Sequence, residues 1–582
     1  MRIHRPIQSA TADDAIGHGG HVVCSEGIGI DHLENTVALK ILAVTSEAFP
    51  LAKTGGLGDA VSGMAGAIDA MGTDLTIMLP AYRGVRKRLA HAQRLGRLNG
   101  LPGGDAHLVG GYCPESGLRI LLLENDALYD REGLYVDAAG VEYPDSAQRF
   151  AALSLAAARV AAGVPGVAVP DVLHAHDWHA ALAPLALRQF GVTGVRSVLT
   201  LHNVAFQGCY PAGLADQTGI EPSLWASGGL LRGDCINFLH AGIACADKIT
   251  VVSTNYAREI LTPEFGCGLD GLLKARRADL LAIPNGIDAS LWNPACDTYL
   301  RGCHFDADDL RNKALCKRRL QAKFGLNESP RTTLLAMGSR LTGQKMADVA
   351  VHALSRALQA HPDLQVCVIG CGEKDIEARM RELAERHPGR CAVHIGYSED
   401  IAHLLHAGAD VLLHGSRFEP FGLTPLYAMR YGTIPIGSRV GGMVDTIDDP
   451  GWTAGDEAMC AATGLLFPGD GEDDMCAAID RAMRLRGSQT IWRRMQRNAM
   501  RKDFSWERAA PAYVQCYQAL CHEVERMEQR QGSARPSVHA MPAHAAARHR
   551  GIAAGSRLQG LSLAGAPARA ELLPRVSGAS VA

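Results

Sequence analysis

Arg417-Phe418-Glu419-Pro420-Phe421-Gly422-Leu423-Thr424-Pro425-Leu426-Tyr427-Ala428-Met429 follows a short apolar run, Val411 to Leu413, and passes into a pattern at Leu423, Leu426, Tyr427 and Tyr431. The apolar run reads as the end of a buried parallel strand, and the pattern that follows it has helical spacing. Glu419 is therefore expected on a strand-to-helix loop. The free backbone N–H groups from Gly422 to Thr424 would open the helix. Such an opening attracts phosphate, because unpaired N–H groups and the helix dipole both point at the anion. Pro420 stiffens the turn, and Gly422 lets an anion approach the backbone. A carboxylate beside a phosphate cradle suits a sugar joined to a phosphate; an ordinary βα loop with a solvated Glu is the competing reading.

The block resembles the region of retaining GT-B glycosyltransferases that carries two Glu separated by seven residues. Only the first Glu is present here; Tyr427 stands at the second position. The Ser-Arg-Phe-Glu-Pro block is similar to that of the bacterial and plant glycogen/starch synthases. The resemblance implies an α/β GT-B fold, two Rossmann-like parallel-sheet domains facing a central cleft. It also implies that Phe421, Gly422, Leu423 and Thr424 bind substrate beside Glu419.

Size and composition agree with a large soluble globular protein. At 582 residues the chain should form two or more domains. Hydrophobic content of 47% and charged content of 20% are ordinary for a globular protein. A net charge of −3 gives no argument for nucleic acid or membrane binding. No apolar run reaches the roughly 18–20 residues of a membrane helix, and no apolar block of a signal peptide follows Arg2 and Arg5. The 16 cysteines include no Cys-x-x-Cys pair and read as reduced thiols. A cytoplasmic location is expected.

Residues 1–38 read as a flexible leader. Residues 39–285 read as the N-terminal Rossmann-like domain. It begins at the apolar strand Lys40 to Thr45, followed by Lys53-Thr54-Gly55-Gly56-Leu57-Gly58-Asp59 and an Ala/Gly-rich helix. Strand, glycine loop and helix is a geometry that cradles phosphate. Lys-Thr-Gly-Gly-Leu resembles the N-terminal signature of the glycogen/starch synthases. By that resemblance Lys53, Gly55 and Gly56 contact the nucleotide-sugar, and Asp59 belongs to the same substrate-binding set.

Strand-like runs recur at Leu75–Leu79, Leu118–Leu123, Val172–Ala175, Ser197–Leu201 and Lys248–Ser253, with helical stretches between them. This alternation implies a parallel sheet covered on both faces, with ligands beyond the carboxyl ends of its strands. Three groups are candidates for that edge. Asp145, in Tyr143-Pro144-Asp145, reads either as an N-cap or as the functionally sensitive Asp of the family. His174-Ala175-His176-Asp177-Trp178-His179 offers three imidazoles, but a strand end turning into a helix points them differently, so no metal site is expected. The resemblance implies that His176 bonds the donor glucose and that Trp178 and His179 shape the acceptor side. His202 and Asn203, at another strand end, read as sugar ligands or as loop caps.

Pro284-Asn285-Gly286-Ile287-Asp288 reads as the hinge into the second Rossmann-like domain, residues 286–528, which binds the nucleotide-sugar. Its first strand, Leu334 to Met337, runs into Gly338-Ser339-Arg340-Leu341-Thr342-Gly343-Gln344-Lys345. Arg340 and Lys345 lie on one loop, so both cations can reach one diphosphate. A charge pair about 4 Å apart is worth roughly 4 kcal/mol at an effective dielectric near 20. The motif resembles that of the glycogen synthases, with Met346 where the family has Gly. Phe421, Pro425 and Gly415 also stand where the family more often has Cys, Gln and Pro. Tyr397 reads as a face for a nucleotide base or as a core ring. Gly441 and Gly442, in Gly441-Gly442-Met443-Val444-Asp445-Thr446, resemble a family motif for the outer phosphate or sugar. A last helix opens at Trp506, runs to about Arg526 and crosses back to the first domain. Residues 529–582, with seven Arg and one Glu, read as a disordered basic tail.

The expected reaction is transfer of glucose from ADP-glucose to the non-reducing end of an α-1,4-glucan such as glycogen, with retention of configuration. No cofactor, nucleic acid or membrane partner is expected, and the sequence leaves the oligomeric state open. In this reading Glu419, Arg340, Lys345, His176 and Asp145 form the catalytic set. The rivals are a retaining GT-B enzyme that uses UDP-glucose or another acceptor, and a non-catalytic glucan-binding protein.

Overall fold

Two sheets of mainly parallel strands carry the fold. The computed structural model describes residues 38–452 and 456–533; the expected leader lies outside them, as does most of the expected tail. The first sheet has nine strands: β1 (Lys40–Val44), β2 (Asp74–Pro80), β3 (Ala90–Leu101), β4 (Gly104–Tyr112), β5 (Arg119–Glu124), β6 (Val172–His176), β7 (Arg196–Leu201), β11 (Lys248–Val251) and β12 (Leu280–Ala282). Between β7 and β11, three short strands form a small antiparallel sheet: β8 (Cys209–Pro211), β9 (Leu231–Arg232) and β10 (Cys235–Asn237). The nine strands lie in the order β12-β11-β7-β6-β1-β2-β5-β4-β3.

The central strands are parallel and mostly apolar, as burial on both faces favours, with His174, His176, Ser197 and Thr200 as buried polar exceptions on β6 and β7. One edge departs from the parallel expectation. β3 and β4 form an antiparallel hairpin, and β4 pairs antiparallel with β5. The hairpin's register shifts three times, and β3 is largely exposed. An edge strand that faces water needs no continuous apolar run, so this one leaves little trace in the sequence.

The second sheet contains β13 (Thr333–Gly338), β14 (Leu364–Gly370), β15 (Cys391–Ile395), β16 (Val411–His414), β17 (Ile434–Ser438) and β18 (Leu465–Phe467). All are parallel, in the order β15-β14-β13-β16-β17-β18. This is the doubly wound Rossmann order, with its topological switch between the first and fourth strands of the sheet.

The helix Trp506–Ser533 returns to the first lobe and packs on the helix Gly56–Ala70. It continues to Ser533 rather than ending near Arg526. At Gly63 a Cβ would strike the indole of Trp506, so only glycine allows the two helices this approach. Gly286 packs in the same way on the Trp506 backbone, and Ile287 pairs with Ser505. Both passages of the chain between the lobes therefore run side by side.

Candidate active site

Each sheet changes winding direction once, between β1 and β6 in the first and between β13 and β16 in the second. Ligands bind beyond the carboxyl ends of strands at such switch points. The loops after those four strands carry Lys53 to Asp59, His176 to His179, Gly338 to Lys345, and Ser416 to Thr424. All four meet in one cleft of about 660 Å³ lined from both lobes. Lys53, Gly55, Gly56, Asp59, His202, Asn203, Arg340, Lys345, Tyr397, Glu419, Phe421, Gly422, Leu423 and Thr424 all line it.

On the second-lobe side, Lys345 makes an ion pair with Glu419. The same Glu419 oxygen lies 3.1 Å from His414 Nε2 and accepts the Ser416 hydroxyl at 2.9 Å. Burial pushes the carboxyl up, but the Lys345 charge and the His414 bond outweigh it and hold it well below the usual carboxylate range. Glu419 is therefore a fixed anion. Arg340 donates to Gln344 at 2.8 Å, and Gln344 in turn donates to the Phe418 carbonyl at 3.2 Å. Arg417 binds Asp348 through both terminal nitrogens, at 3.0 and 2.9 Å. These bonds tie the loops after β13 and β16 into one rigid wall.

Two departures from the family pattern pack on each other in that wall. Met346 is fully buried in the left-handed region at φ 50°. A Cβ at Gly415 would lie 3.2 Å from Met346 Cβ and 3.0 Å from Met475 Cε. The Met346 side chain fills room that only glycine at position 415 leaves open, and its turn still presents Lys345 to Glu419.

On the first-lobe side, Glu47 organises the glycine loop. It accepts the Thr54 amide at 2.8 Å, the Gly55 amide at 3.2 Å, the Thr54 hydroxyl at 2.8 Å and the Tyr135 hydroxyl at 2.8 Å. Lys53 pairs with Asp59 at 2.9 Å. Burial pushes Asp59 up to about 6, against the Lys53 charge. Across the cleft Tyr397 is 66% exposed, so it is not a core ring; its face lies 6.0 Å from Lys53 Nζ, and its hydroxyl bonds Glu399. Leu423 stands close over Gly56, where a Cβ would lie 3.1 Å from it.

His176 lies one layer beneath the lining. Its Nδ1 is 3.1 Å from His202 Nε2, and its ring packs on His174 at 4.0 Å. His174 is bonded to Tyr517 of the returning helix at 2.8 Å and to Thr200 at 2.6 Å. Burial lowers His174 and His202 to about 3 and holds His176 well below its usual range, so all three rings are neutral near pH 7. Among the described residues no group of three or more His, Cys, Asp or Glu side chains is arranged to hold a metal ion. Asn203 lines the cleft and also caps its loop through the Ala205 amide at 3.1 Å.

Three expected positions stand elsewhere. Asp145 does not line the cleft: Arg131 holds both its oxygens, at 2.6 and 2.5 Å. Asp145 occupies the N-cap position of the helix Ser146–Ala162, yet its side chain makes no capping bond. Gly441 and Gly442 lie behind the Glu419 loop. A Cβ at either would strike the backbone of Glu419 or Phe421, so packing explains both glycines. The Gly441 amide donates to Glu259 of the first lobe at 2.9 Å, and Ser253 donates to the Pro420 carbonyl at 2.8 Å. This corner thus joins the lobes.

The sequence reading passed over Glu47, Tyr135 and Trp292, and gave Gln344 and Tyr427 no role of their own, yet all five line the cleft. An acid directly after β1 and just before the glycine loop was the available signal for Glu47. Tyr427 is stacked on Trp292 at 3.9 Å, and Trp292 is stacked on His403 at 4.0 Å. No local pattern announces such a stack, because Trp292 and Tyr427 are far apart in sequence.

Two family profiles match: the starch synthase catalytic domain over residues 40–275 and glycosyl transferases group 1 over residues 318–502. The glycogen synthase of Bordetella bronchiseptica is 58% identical over 492 residues, covering 84% of this chain and 96% of that protein. That of Ralstonia nicotianae is 50% identical over 485 residues, covering 83% and 88%. Among solved structures, the catalytic domain of Starch Synthase IV from Arabidopsis thaliana, bound to ADP and acarbose, aligns with a TM-score of 0.74 at 28% identity, covering 83% of this chain and 99% of that one. With its two Rossmann-like lobes in the GT-B arrangement and its motifs in one cleft, the chain belongs to the glycogen synthase family of glucosyltransferases.

Proposed function

We propose that the cleft transfers the glucosyl group of ADP-glucose to the non-reducing end of an α-1,4-glucan, with retention of configuration and release of ADP. The observation that carries this is the convergence of Arg340, Lys345 and the start of the helix Leu423–Arg430 beside Glu419, opposite the Lys53 loop. As the glycosidic bond to ADP breaks, negative charge grows on the diphosphate. Two cations and the free amides of that helix meet it without reorganising. Lys345, paired with Glu419, lies where it can share its charge with the incoming diphosphate. Glu419 stays ionised, orients donor hydroxyls and supports the oxocarbenium-like centre. His202 faces the sugar with His176 behind it. Tyr397 offers the adenine a ring, and Lys53 with the Gly55–Gly56 backbone closes the other side. Closure of the lobes excludes water, which would otherwise take the glucosyl group.

In this reading the reaction needs no cofactor. No described helix is long and apolar enough to cross a membrane, and the reading places the reaction in the cytoplasm. The test compares ADP-glucose with UDP-glucose as donors, and glycogen with small sugars as acceptors. ADP-glucose with glycogen should be the fastest pair. Preference for UDP-glucose, or for a small-sugar acceptor, would replace this reading with the rival one.

A further inference from the structure

His414 ends β16, the strand whose loop carries Glu419, and lines the cleft at the switch point of the second sheet. The three strand residues before it are Val411, Leu412 and Leu413, all buried. His414 is itself only 3% exposed, so a polar ring sits where the strand otherwise buries aliphatic side chains. Its Nε2 lies 3.1 Å from Glu419 Oε2, while its Nδ1 has no hydrogen-bond partner among the described residues. A buried polar atom left unmatched costs free energy and calls for an explanation. An aliphatic side chain of similar size would avoid that cost, so packing does not explain a histidine here.

The bond to Glu419 does. Burial lowers the ring's pKa against the pull of that bond, and the Lys345 charge lowers it further, so the ring is neutral near pH 7. A neutral imidazole has one N–H, and an ionised carboxylate only accepts. The proton therefore sits on Nε2 and is donated to Glu419. Lys345, His414 and Ser416 all converge on the one oxygen, Oε2. Of the three, Lys345 carries the charge that a diphosphate would draw. His414 and Ser416 are neutral and have no such competing partner.

We propose that His414 is a positioning residue: its Nε2–H holds the Glu419 carboxylate by Oε2 while Lys345 turns its charge to the diphosphate, so that the carboxylate keeps its orientation toward the donor glucose. The proposal rests on the reading of the cleft as a glucosyl-transfer site. His414→Leu removes the bond and keeps the position filled. His414→Gln keeps a donor, because its amide nitrogen and the imidazole Nε2 are the same number of bonds from Cα. Steady-state kinetics on the full chain, with glycogen as acceptor, gives kcat and the KM for ADP-glucose; calorimetry gives the ADP affinity. In His414→Leu the expected fall in kcat is about 10- to 100-fold, the scale of one hydrogen bond to a charged group. KM and ADP affinity should stay within about twofold, the mark of an interaction made in the transition state alone. The melting temperature should stay near the parent's, because the unmatched nitrogen leaves with the bond. His414→Gln should recover most of the lost kcat. A kcat within about twofold of the parent in His414→Leu would overturn the proposal. So would a loss that His414→Gln does not recover, or one that the ADP affinity shares in full, since either would give His414 a packing or nucleotide-binding role instead. If His414→Leu fails to fold, His414→Met, whose unbranched side chain adapts to irregular room, is measured against the same outcomes. A parent that transfers no glucose from ADP-glucose overturns the proposed function and the role it gives Glu419; an active parent confines any failure to His414.

Discussion

Lys345 and Glu419 form an ion pair at the base of the cleft, each side chain about nine-tenths buried or nearly so, with His414 and Ser416 completing the shell around the carboxylate. The pair joins the loop after β13 to the loop after β16, the two loops at the switch point of the second sheet. Breaking a buried pair leaves a charge uncompensated and typically costs about 3–5 kcal/mol. Lys345→Ala should therefore lower the melting temperature as well as the turnover. Lys345→Met and Glu419→Gln combined should recover part of the lost stability but none of the activity. A thermal melt of the single and double variants checks this.

Arg340 stands outside that pair, and the proposed function gives it a share of the charge that grows on the diphosphate. Arg340→Ala should lower kcat by about a hundredfold or more, on the scale of losing one preorganised donor to developing charge. The melting temperature should change little, because Gln344 and Arg417 still hold the loop. Steady-state kinetics on the purified variant, with far-UV circular dichroism as the control, gives the answer.

Asp59 predicts a pH dependence of opposite sign to that of Glu419. Burial raises the Asp59 carboxyl to about 6, above its unfolded value near 3.9. Its stabilising contribution is fully present below about pH 4 and is lost as pH rises through 6. The stability of Asp59→Asn relative to the parent should rise between about pH 4 and pH 6, the window between those two values, and stay constant above it. Glu419, held below its usual range by Lys345, loses its contribution only as the medium turns strongly acid. Melting curves across this range for parent, Asp59→Asn and Glu419→Gln separate the two effects.

Met346 and Gly415 should behave as a coupled pair. Met346→Gly relieves a left-handed backbone worth of order 1 kcal/mol but empties a buried site, at about 2–5 kcal/mol. The net effect should be destabilising. Gly415→Ala forces its Cβ against Met346 and Met475 and should cost about 1–3 kcal/mol alone. In the Met346→Gly background that cost should shrink. A double-mutant cycle by denaturant unfolding measures the coupling, and strict additivity would show that the two residues do not share one space.

How much the sequence revealed depended on the length scale of the feature. The apolar runs from Lys40 to Val44 and from Val411 to Leu413 are buried strands because both sheets are covered on two faces, and the loops that follow them carry Lys53 and Glu419. Strand and site share one short stretch in each case, so local pattern sufficed. The hairpin β3–β4 escaped because its bulged, solvated strands lack a clean period. Glu47, Tyr135 and Trp292 reach the cleft through contacts across the fold, which no local pattern carries. The partner of Asp145, Arg131 on a neighbouring turn, was not legible from its position before a helix.

The central claim is that the second lobe neutralises a departing ADP while the first lobe holds the sugar. Incorporation of radiolabelled glucose from ADP-glucose into glycogen, by the parent and by Lys345→Ala, tests it most directly. The account predicts ready incorporation by the parent and a loss of about a hundredfold or more in the variant. No incorporation by the parent, or near-parental turnover in the folded variant, would contradict it.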